Sequence, residues 1–205
     1  NSQLELSIAE KKFQDNFREI LLASGVSMQS PETCFFSFDT TIKSGCIIEP
    51  YVVFGNGVKI QSSTIIKSYS YIEGCHIGKN CHIGPFARLR PGTRLSNEVK
   101  VGNFVEVKNA TLAPQTKANH LSYIGDAKLG KNTNIGAGTV FCNYDGKNKH
   151  HTEVGDNVFV GSNASLIAPL KIADGSIVAA GSAINKDVPT ESLAIARPIQ
   201  QNKLG

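Results

Sequence analysis

Residues 77–107 read IGKNCHIGPFARLRPGTRLSNEVKVGNFVEV, and every sixth residue of this stretch is aliphatic. The same spacing continues outward, with slips of one residue before Ile77, Leu112 and Leu129 and a break between Phe141 and Val154. The aliphatic or Phe positions are Ile42, Ile48, Phe54, Ile60, Ile66, Ile72, Ile77, Ile83, Leu89, Leu95, Val101, Val107, Val154, Val160, Leu166, Ile172, Val178 and Ile184. A fixed short period of this kind indicates an internal repeat.

Other columns of the six-residue repeat agree with this pattern. Gly often follows the aliphatic position, and the fifth position is usually small or β-branched. A period of six fits neither an α-helix nor an isolated hairpin, and sandwich strands alternate with period two and vary in length. The repeat therefore predicts an all-β fold, a left-handed parallel β-helix of hexapeptide repeats. Its triangular prism would have about seven coils, stacked at about 4.8 Å.

The chain organisation follows from where the repeat starts, breaks and stops. We expect a linker helix over residues 1–25, with Ser7 as its cap and Glu10 completing a capping box. An irregular lead-in follows over 26–41, and the β-helix domain spans 42–189. The polar segment 142–153 is expected to be an inserted loop, and residues 190–205 a polar, basic tail.

Composition limits the class of protein. The chain has 205 residues and a formal charge of +4, which fits one domain with an appendage and excludes a nucleic-acid arm driven by bulk charge. It contains no signal pattern and no apolar run long enough for a membrane span. Five Cys, an odd number without a Cys-x-x-Cys, predict reduced thiols and a cytoplasmic protein. The absence of an initial Met suggests a fragment or a processed chain.

The histidines separate into two kinds. His76 and His82 each follow a Cys, but their spacing is the repeat itself, which places them on successive sides rather than in one zinc site. His120 lies in the slipped stretch, with Arg90 and Lys108 among the basic residues within two coils. Cations beside a His indicate a phosphate-bearing substrate with a nearby base, although a surface His among solvated charges has the same pattern.

A series of motifs carries a specific resemblance. The motifs are FARLRPG (86–92), VGNFVEVK (101–108), HLSYIGD (120–126), NIGAGT (134–139) and CNYDGK (142–147). In this order they closely resemble the acetyltransferase domain of the bacterial bifunctional N-acetylglucosamine-1-phosphate uridylyltransferase / glucosamine-1-phosphate acetyltransferase. The resemblance covers nearly the whole chain, and its uridylyltransferase half has no counterpart here.

The resemblance implies a site and a reaction. Acetyl would pass from acetyl-CoA, the co-substrate, to the amine of glucosamine 1-phosphate, with His120 as the general base. The product would serve UDP-N-acetylglucosamine, peptidoglycan and lipopolysaccharide synthesis in the bacterial cytoplasm. The implied substrate-binding residues are Arg90, Lys108, Tyr123, Asn134 and Glu106. The implied cofactor-binding residues are Ala137, Asn143, Tyr144, Ser162, Ala180, Arg197 and Lys149.

Partners are expected as well. A triangular prism can associate about a parallel threefold axis, so we expect a homotrimer, and the resemblance implies that each site lies between subunits. No metal, nucleic acid or membrane is expected for this domain. Mg²⁺ is expected only for the absent uridylyltransferase half. Two alternatives remain open: another hexapeptide-repeat acyltransferase acting on a different amino sugar or on serine, and a non-catalytic solenoid that acts as a trimerising scaffold.

Overall fold

The computed structural model describes residues 2–203, so residue 1 of the expected linker and residues 204–205 of the expected tail lie outside it. The chain forms one helix followed by many short strands. The elements are α1 (Gln3–Ala23), β1 (Ser27–Met28), the 3₁₀ turn η1 (Pro31–Thr33), β2 (Phe35–Phe36), β3 (Thr41–Ile42), β4 (Ile47–Ile48), β5 (Val53–Phe54), β6 (Lys59–Ile60), β7 (Ile65–Ile66), β8 (Tyr71–Ile72), β9 (His76–Ile77), β10 (His82–Ile83), β11 (Arg88–Leu89), β12 (Arg94–Leu95), β13 (Lys100–Asn103), β14 (Glu106–Leu112), β15 (Lys117–His120), β16 (Tyr123–Leu129), β17 (Asn134–Ile135), β18 (Val140–Cys142), β19 (Thr152–Val154), β20 (Phe159–Val160), β21 (Ser165–Ile167), β22 (Leu170–Ile172), β23 (Ile177–Val178), β24 (Ala183–Ile184) and β25 (Leu193–Ala194).

The strands stack in parallel on three sides, as the hexapeptide repeat predicts. Side 1 runs β1, β4, β7, β10, β13, β15, β17, β20, β23, β25. Side 2 runs β2, β5, β8, β11, then the first halves of β14 and β16, then β18, β21 and β24. Side 3 runs β3, β6, β9, β12, the second halves of β14 and β16, then β19 and β22. The prediction of a parallel β-helix of hexapeptide repeats is confirmed.

The solenoid is longer than the repeat suggested. It has about nine turns instead of the seven predicted. The segment 26–41, expected to be irregular, contains β1 and β2, which pair with β4 and β5. This first coil departs from the six-residue spacing because η1 lies between its strands. At the other end, β25 within the expected tail pairs with β23 and extends side 1.

The core is a column of the periodic aliphatic side chains inside the prism. Ile48, Ile66, Leu89 and Val107 are fully buried. Each such side chain contributes about 1.5–3 kcal/mol through burial. The small inward residues beside them include threonines whose hydroxyls bond the coil above, as Thr133 Oγ1 does at 2.8 Å from the Gly155 carbonyl oxygen.

Two slips in the repeat occur where strands pass through a corner. Strands β14 and β16 do not stop at the corner between sides 2 and 3, which we call corner B. They pass through it continuously, and Asn109 and Asp126 turn it with left-handed backbone angles, with φ of 46° and 48°. Asn and Asp tolerate this conformation better than most residues. One residue fewer is needed to turn the corner, so the spacing of six becomes five.

Helix α1 covers the N-terminal end of the prism. Its cap is Ser2, with Glu5 completing the capping box, so the prediction of Ser7 and Glu10 was wrong. The buried Gln14 amide donates to the Phe36 carbonyl oxygen at 2.7 Å and accepts from the Phe36 N–H at 2.9 Å. The Arg18 guanidinium donates to the Cys34 carbonyl oxygen. These side chains satisfy the backbone groups that the first coil exposes.

Candidate active site

His120 ends β15 at the corner between sides 1 and 2, which we call corner A; Phe104 and Leu121 turn this corner on successive coils. One coil below, Asn103 stands in register with His120. The Asn103 side-chain oxygen lies 2.8 Å from His120 Nδ1. An amide oxygen is only an acceptor, so in the neutral imidazole this contact favours the tautomer with the proton on Nδ1 and the lone pair on Nε2.

Four residues from the sequence prediction form a column above His120 at corner A. The strand registers of side 1 place Ala137, then Ser162, then Ala180 on successive coils. Successive coils are about 4.8 Å apart. Arg197 closes the column, and its guanidinium donates to the Ala180 carbonyl oxygen at 2.8 Å. The residues between His120 and Arg197 in this column thus all have small side chains.

A second group of predicted residues lies on side 2. Glu106 accepts an ion-paired hydrogen bond from Arg90 Nη1 at 2.8 Å, and both side chains are about one-third exposed. The hydrogen bond to Glu106 raises the pKa of Arg90 above its ordinary value. Lys108 stands in register with Arg90 on the next coil. The outer face of side 2 therefore carries two cations side by side.

Asp126 connects this group at corner B. Its carboxylate accepts from Asn109 Nδ2 at 2.6 Å and from Asn143 Nδ2 at 2.5 Å. Burial alone would raise the pKa of Asp126. Hydrogen bonds from the two amides and the charges of Lys108 and Lys149 nevertheless hold it below the ordinary value. The carboxylate is therefore ionised at neutral pH and only 8% exposed.

The expected inserted loop is compact. Cys142 belongs to β18 and Thr152 begins β19, so the loop itself covers residues 143–151. Tyr144 forms an antiparallel bridge with Lys149, and the Asp145 carboxylate accepts from His150 Nε2 at 2.6 Å. The loop presents Lys149 next to Lys108, whose proximity holds the pKa of the Lys149 ammonium below its ordinary value.

The two groups are not joined by any bond within residues 2–203: no hydrogen bond or ion pair there links His120 to Arg90, Lys108 or the loop. Asn134 lies on side 1 in register with Lys117, three residues before the corner A column. Tyr123 is on side 2, with its hydroxyl 3.4 Å from Asn143 Nδ2. Apart from Asn134, the predicted residues thus form two groups, which we call half-sites: one at corner A, and one made by side 2 with the 143–151 loop.

Sequence reasoning missed three polar residues of these half-sites. Asn103 lies one coil before His120, so the repeat spacing offered a signal for it. Asn109 and Asp126 occupy the positions where the repeat slips, which marks a left-handed corner but not a shared hydrogen bond. Asp126 lies in the motif that begins at His120, but nothing in the sequence indicates that its carboxylate contacts cations, so it was not selected.

His76 and His82 lie on successive sides of the prism, as the repeat spacing predicted. His76 lies in β9 on side 3 and His82 in β10 on side 1. Over residues 2–203, no group of three or more His, Cys, Asp or Glu side chains has a geometry suited to a metal ion. Helix α1 lacks the apolar character that a membrane span requires, and the described chain contains no other long helix.

Comparison with known proteins places the chain in context. Residues 31–121 match the GMPPB C-terminal domain, and residues 151–186 match the bacterial transferase hexapeptide (six repeats). The bifunctional protein GlmU of Wolbachia pipientis wMel is 54% identical over 203 residues, which is 99% of this chain and 47% of that protein. The chain is a homologue of bifunctional GlmU. GlmU of Anaplasma marginale (strain Florida) is 49% identical over the same shares of both proteins.

The GlmU similarity confirms the resemblance inferred from the motifs. The chain spans about half the length of the GlmU proteins that it matches. A solved structure, PerB from Caulobacter crescentus in complex with CoA and GDP-perosamine, is similar with a TM-score of 0.51 and 25% identity. That match covers 58% of this chain and 54% of the PerB chain.

Proposed function

We propose that this chain transfers acetyl from acetyl-CoA to the amine of glucosamine 1-phosphate, as the acetyltransferase part of a GlmU-type protein. The observation that carries the proposal is the corner A column, in which small residues lead from Arg197 to an imidazole whose Nε2 is free. A GlmU homology over 99% of the chain supports it, as does the similarity to PerB, a protein solved with CoA.

In this reaction Nε2 of His120 takes a proton from the substrate amine while the amine nitrogen attacks the thioester carbonyl carbon. The carbon–sulfur bond then breaks, the amide forms and CoA leaves as the thiol after receiving a proton. A positioned base of this kind typically contributes 10²–10⁴ in rate. Ala137, Ser162 and Ala180 would line the CoA arm, and Arg197 would pair with its phosphates.

On side 2, Arg90 and Lys108 would hold the sugar phosphate, with Tyr123 as a hydroxyl donor. Lys149, which the resemblance assigns to CoA, lies beside Lys108, and we assign it to the sugar phosphate instead. Charged donors to phosphate form the stronger class of hydrogen bonds. Glu106 would orient Arg90 through their ion pair, and Asn134 would bond the sugar. Tyr144 and Asn143 would contact CoA from the loop.

Because no bond joins the two half-sites within the described part of one chain, we propose that they combine between copies in a homotrimer. Corner A of one copy would face side 2 of the next, and three such contacts close a ring. All five cysteines are free thiols, which supports a reducing, cytoplasmic location. The role in UDP-N-acetylglucosamine supply belongs to the same proposal.

The proposal is tested by mixing the chain with acetyl-CoA and glucosamine 1-phosphate and following the release of free thiol. Glucosamine and serine serve as parallel acceptors. Thiol release that depends on the phosphorylated sugar is the expected result. Release with serine or unphosphorylated glucosamine, and none with the phosphate ester, would favour a different acyltransferase. Release with none of them would favour a scaffold.

The hydrogen bond to His120 gives a pH prediction. In Asn103→Asp a carboxylate replaces the amide oxygen at Nδ1 and favours the protonated imidazole. Because only the neutral imidazole accepts a proton, the acid limb of kcat/KM should move to higher pH by up to about one unit. Asn97→Asp adds the same charge at a remote corner and should leave the profile in place. An unshifted profile in Asn103→Asp would refute the pairing.

A further inference from the structure

Asp126 is a buried carboxylate in a cluster that would bind an anion. Its two oxygens are taken by the amides of Asn109 and Asn143. Asn143 is itself only 7% exposed, and its amide is thereby fixed beside the Tyr123 hydroxyl. A carboxylate here would be expected to repel a phosphate, so its presence needs another explanation.

The carboxylate can be explained by its effect on two lysines and on the 143–151 loop. Lys108 and Lys149 lie next to each other, and like charges at this range repel. Asp126 acts on both ammonium groups with the opposite charge. It also anchors the first residue of the 143–151 loop, which carries Lys149. Removing it would release the loop and let the lysines separate.

The corner geometry makes Asp126 a rigid anchor. It turns corner B in a strand that is paired on both sides, between Asn109 below and the loop above. Beneath Asn109 lies Gly92, where an added Cβ would stand 2.8 Å from Asn109 Oδ1. The absence of a side chain at Gly92 therefore leaves room for the amide that supports the carboxylate.

We propose that Asp126 is a positioning residue for the side 2 half-site, where it fixes Asn143 and keeps Lys108 and Lys149 together for a phosphate ester. This inference rests on the proposed function, because it takes glucosamine 1-phosphate as the ligand. Two roles for Asp126 predict opposite effects of its removal on anion binding. If Asp126 acts by bulk charge alone, its removal tightens anion binding; if it positions the cations and the loop, its removal weakens binding.

The test is calorimetric titration of glucosamine 1-phosphate into the full chain and its Asp126→Asn variant. One amide cannot accept both donors as the carboxylate does, so one contact is lost. We expect binding about tenfold weaker at neutral pH. The loss should grow as the pH rises, because Lys108 already lowers the pKa of Lys149 and the variant removes the Asp126 charge that favours its protonated form; Tyr123 also faces this ammonium. Asp174→Asn, a corner carboxylate that accepts from the Asp156 N–H, is the matched control and should bind like the wild type.

Two further measurements keep the inference falsifiable. In a double-mutant cycle with Lys149→Ala, the Asp126→Asn effect should shrink, because Asp126 acts in part through the Lys149 ammonium, which is then already absent. If Asp126→Asn lacks a cooperative unfolding transition, Asn109→Ala replaces it and should weaken binding several-fold. Equal or tighter binding by whichever variant folds overturns the inference.

The outcomes also separate this inference from the proposed function. A wild-type chain that binds glucosamine 1-phosphate but releases no thiol would remove the reaction and leave the positioning role intact. A wild-type chain that is active, with a variant that binds as well as it does, would remove only the positioning role. A wild-type chain that does not bind the sugar phosphate overturns both.

Discussion

Replacing His120 with alanine is expected to lower kcat for acetyl transfer by about 10²–10⁴. The reason is that the amine then has no positioned group to accept its proton, while both half-sites remain able to bind. KM for acetyl-CoA should change little, because the corner A column above the imidazole is untouched. Steady-state thiol release with varied acetyl-CoA and glucosamine 1-phosphate measures both quantities.

His76→Ala is the matched control for this change. His76 lies on side 3, away from both half-sites, so its variant should keep the wild-type kcat. If His120→Ala retained more than about a third of the wild-type rate, His120 could not be the base. Equal losses in both variants would instead indicate damage to the solenoid.

Gly102→Ala is expected to cost about 3 kcal/mol in the free energy of unfolding. An added Cβ at this position would overlap the Asn119 carbonyl oxygen on the next coil. That carbonyl belongs to backbone and cannot rotate away as a side chain would, so two stacked coils must separate. The same two coils carry Asn103 and His120, and the variant should therefore also lose acetyl transfer.

Denaturant unfolding followed by circular dichroism measures the stability of the Gly102 variant. Gly146→Ala is a useful comparison, because its φ of 98° disfavours alanine but no atom lies within 4 Å of the added Cβ. It should lose no more than about 1–2 kcal/mol. A Gly102→Ala protein as stable as the wild type would show that the coils can separate without cost at this point.

The middle of the fold was predictable because one residue in six must fill the prism interior. From Ile42 to Ile184, outside the 143–151 loop, the strands lie at the positions that the aliphatic spacing predicted. The first coil was missed for two reasons. The turn η1 interrupts the six-residue spacing, and the Phe36 side chain packs against Phe17 of α1 where a further coil would otherwise lie. The count of seven turns was too low for this reason and because β25 extends side 1.

The candidate site was predictable to a smaller extent. Motif resemblance selected His120 and the corner A residues, and the strand register independently aligned them. The contacts of Asn103 and Asp126 depend on which side chains face each other across coils of seventeen residues. The spacing of aliphatic residues carries no information on polar contacts between coils, so these partners required the structure.

The Gln14 amide has a consequence beyond the stability of the first coil. Exposed strand edges are templates on which other chains can add, and a stack of parallel strands is open in principle to fibre growth at each end. Because Gln14 already occupies the donor and acceptor of Phe36, these groups of the terminal strand of side 2 are closed to an added strand. Together with Arg18, which bonds the Cys34 carbonyl oxygen, the helix thus protects this edge against head-to-tail stacking.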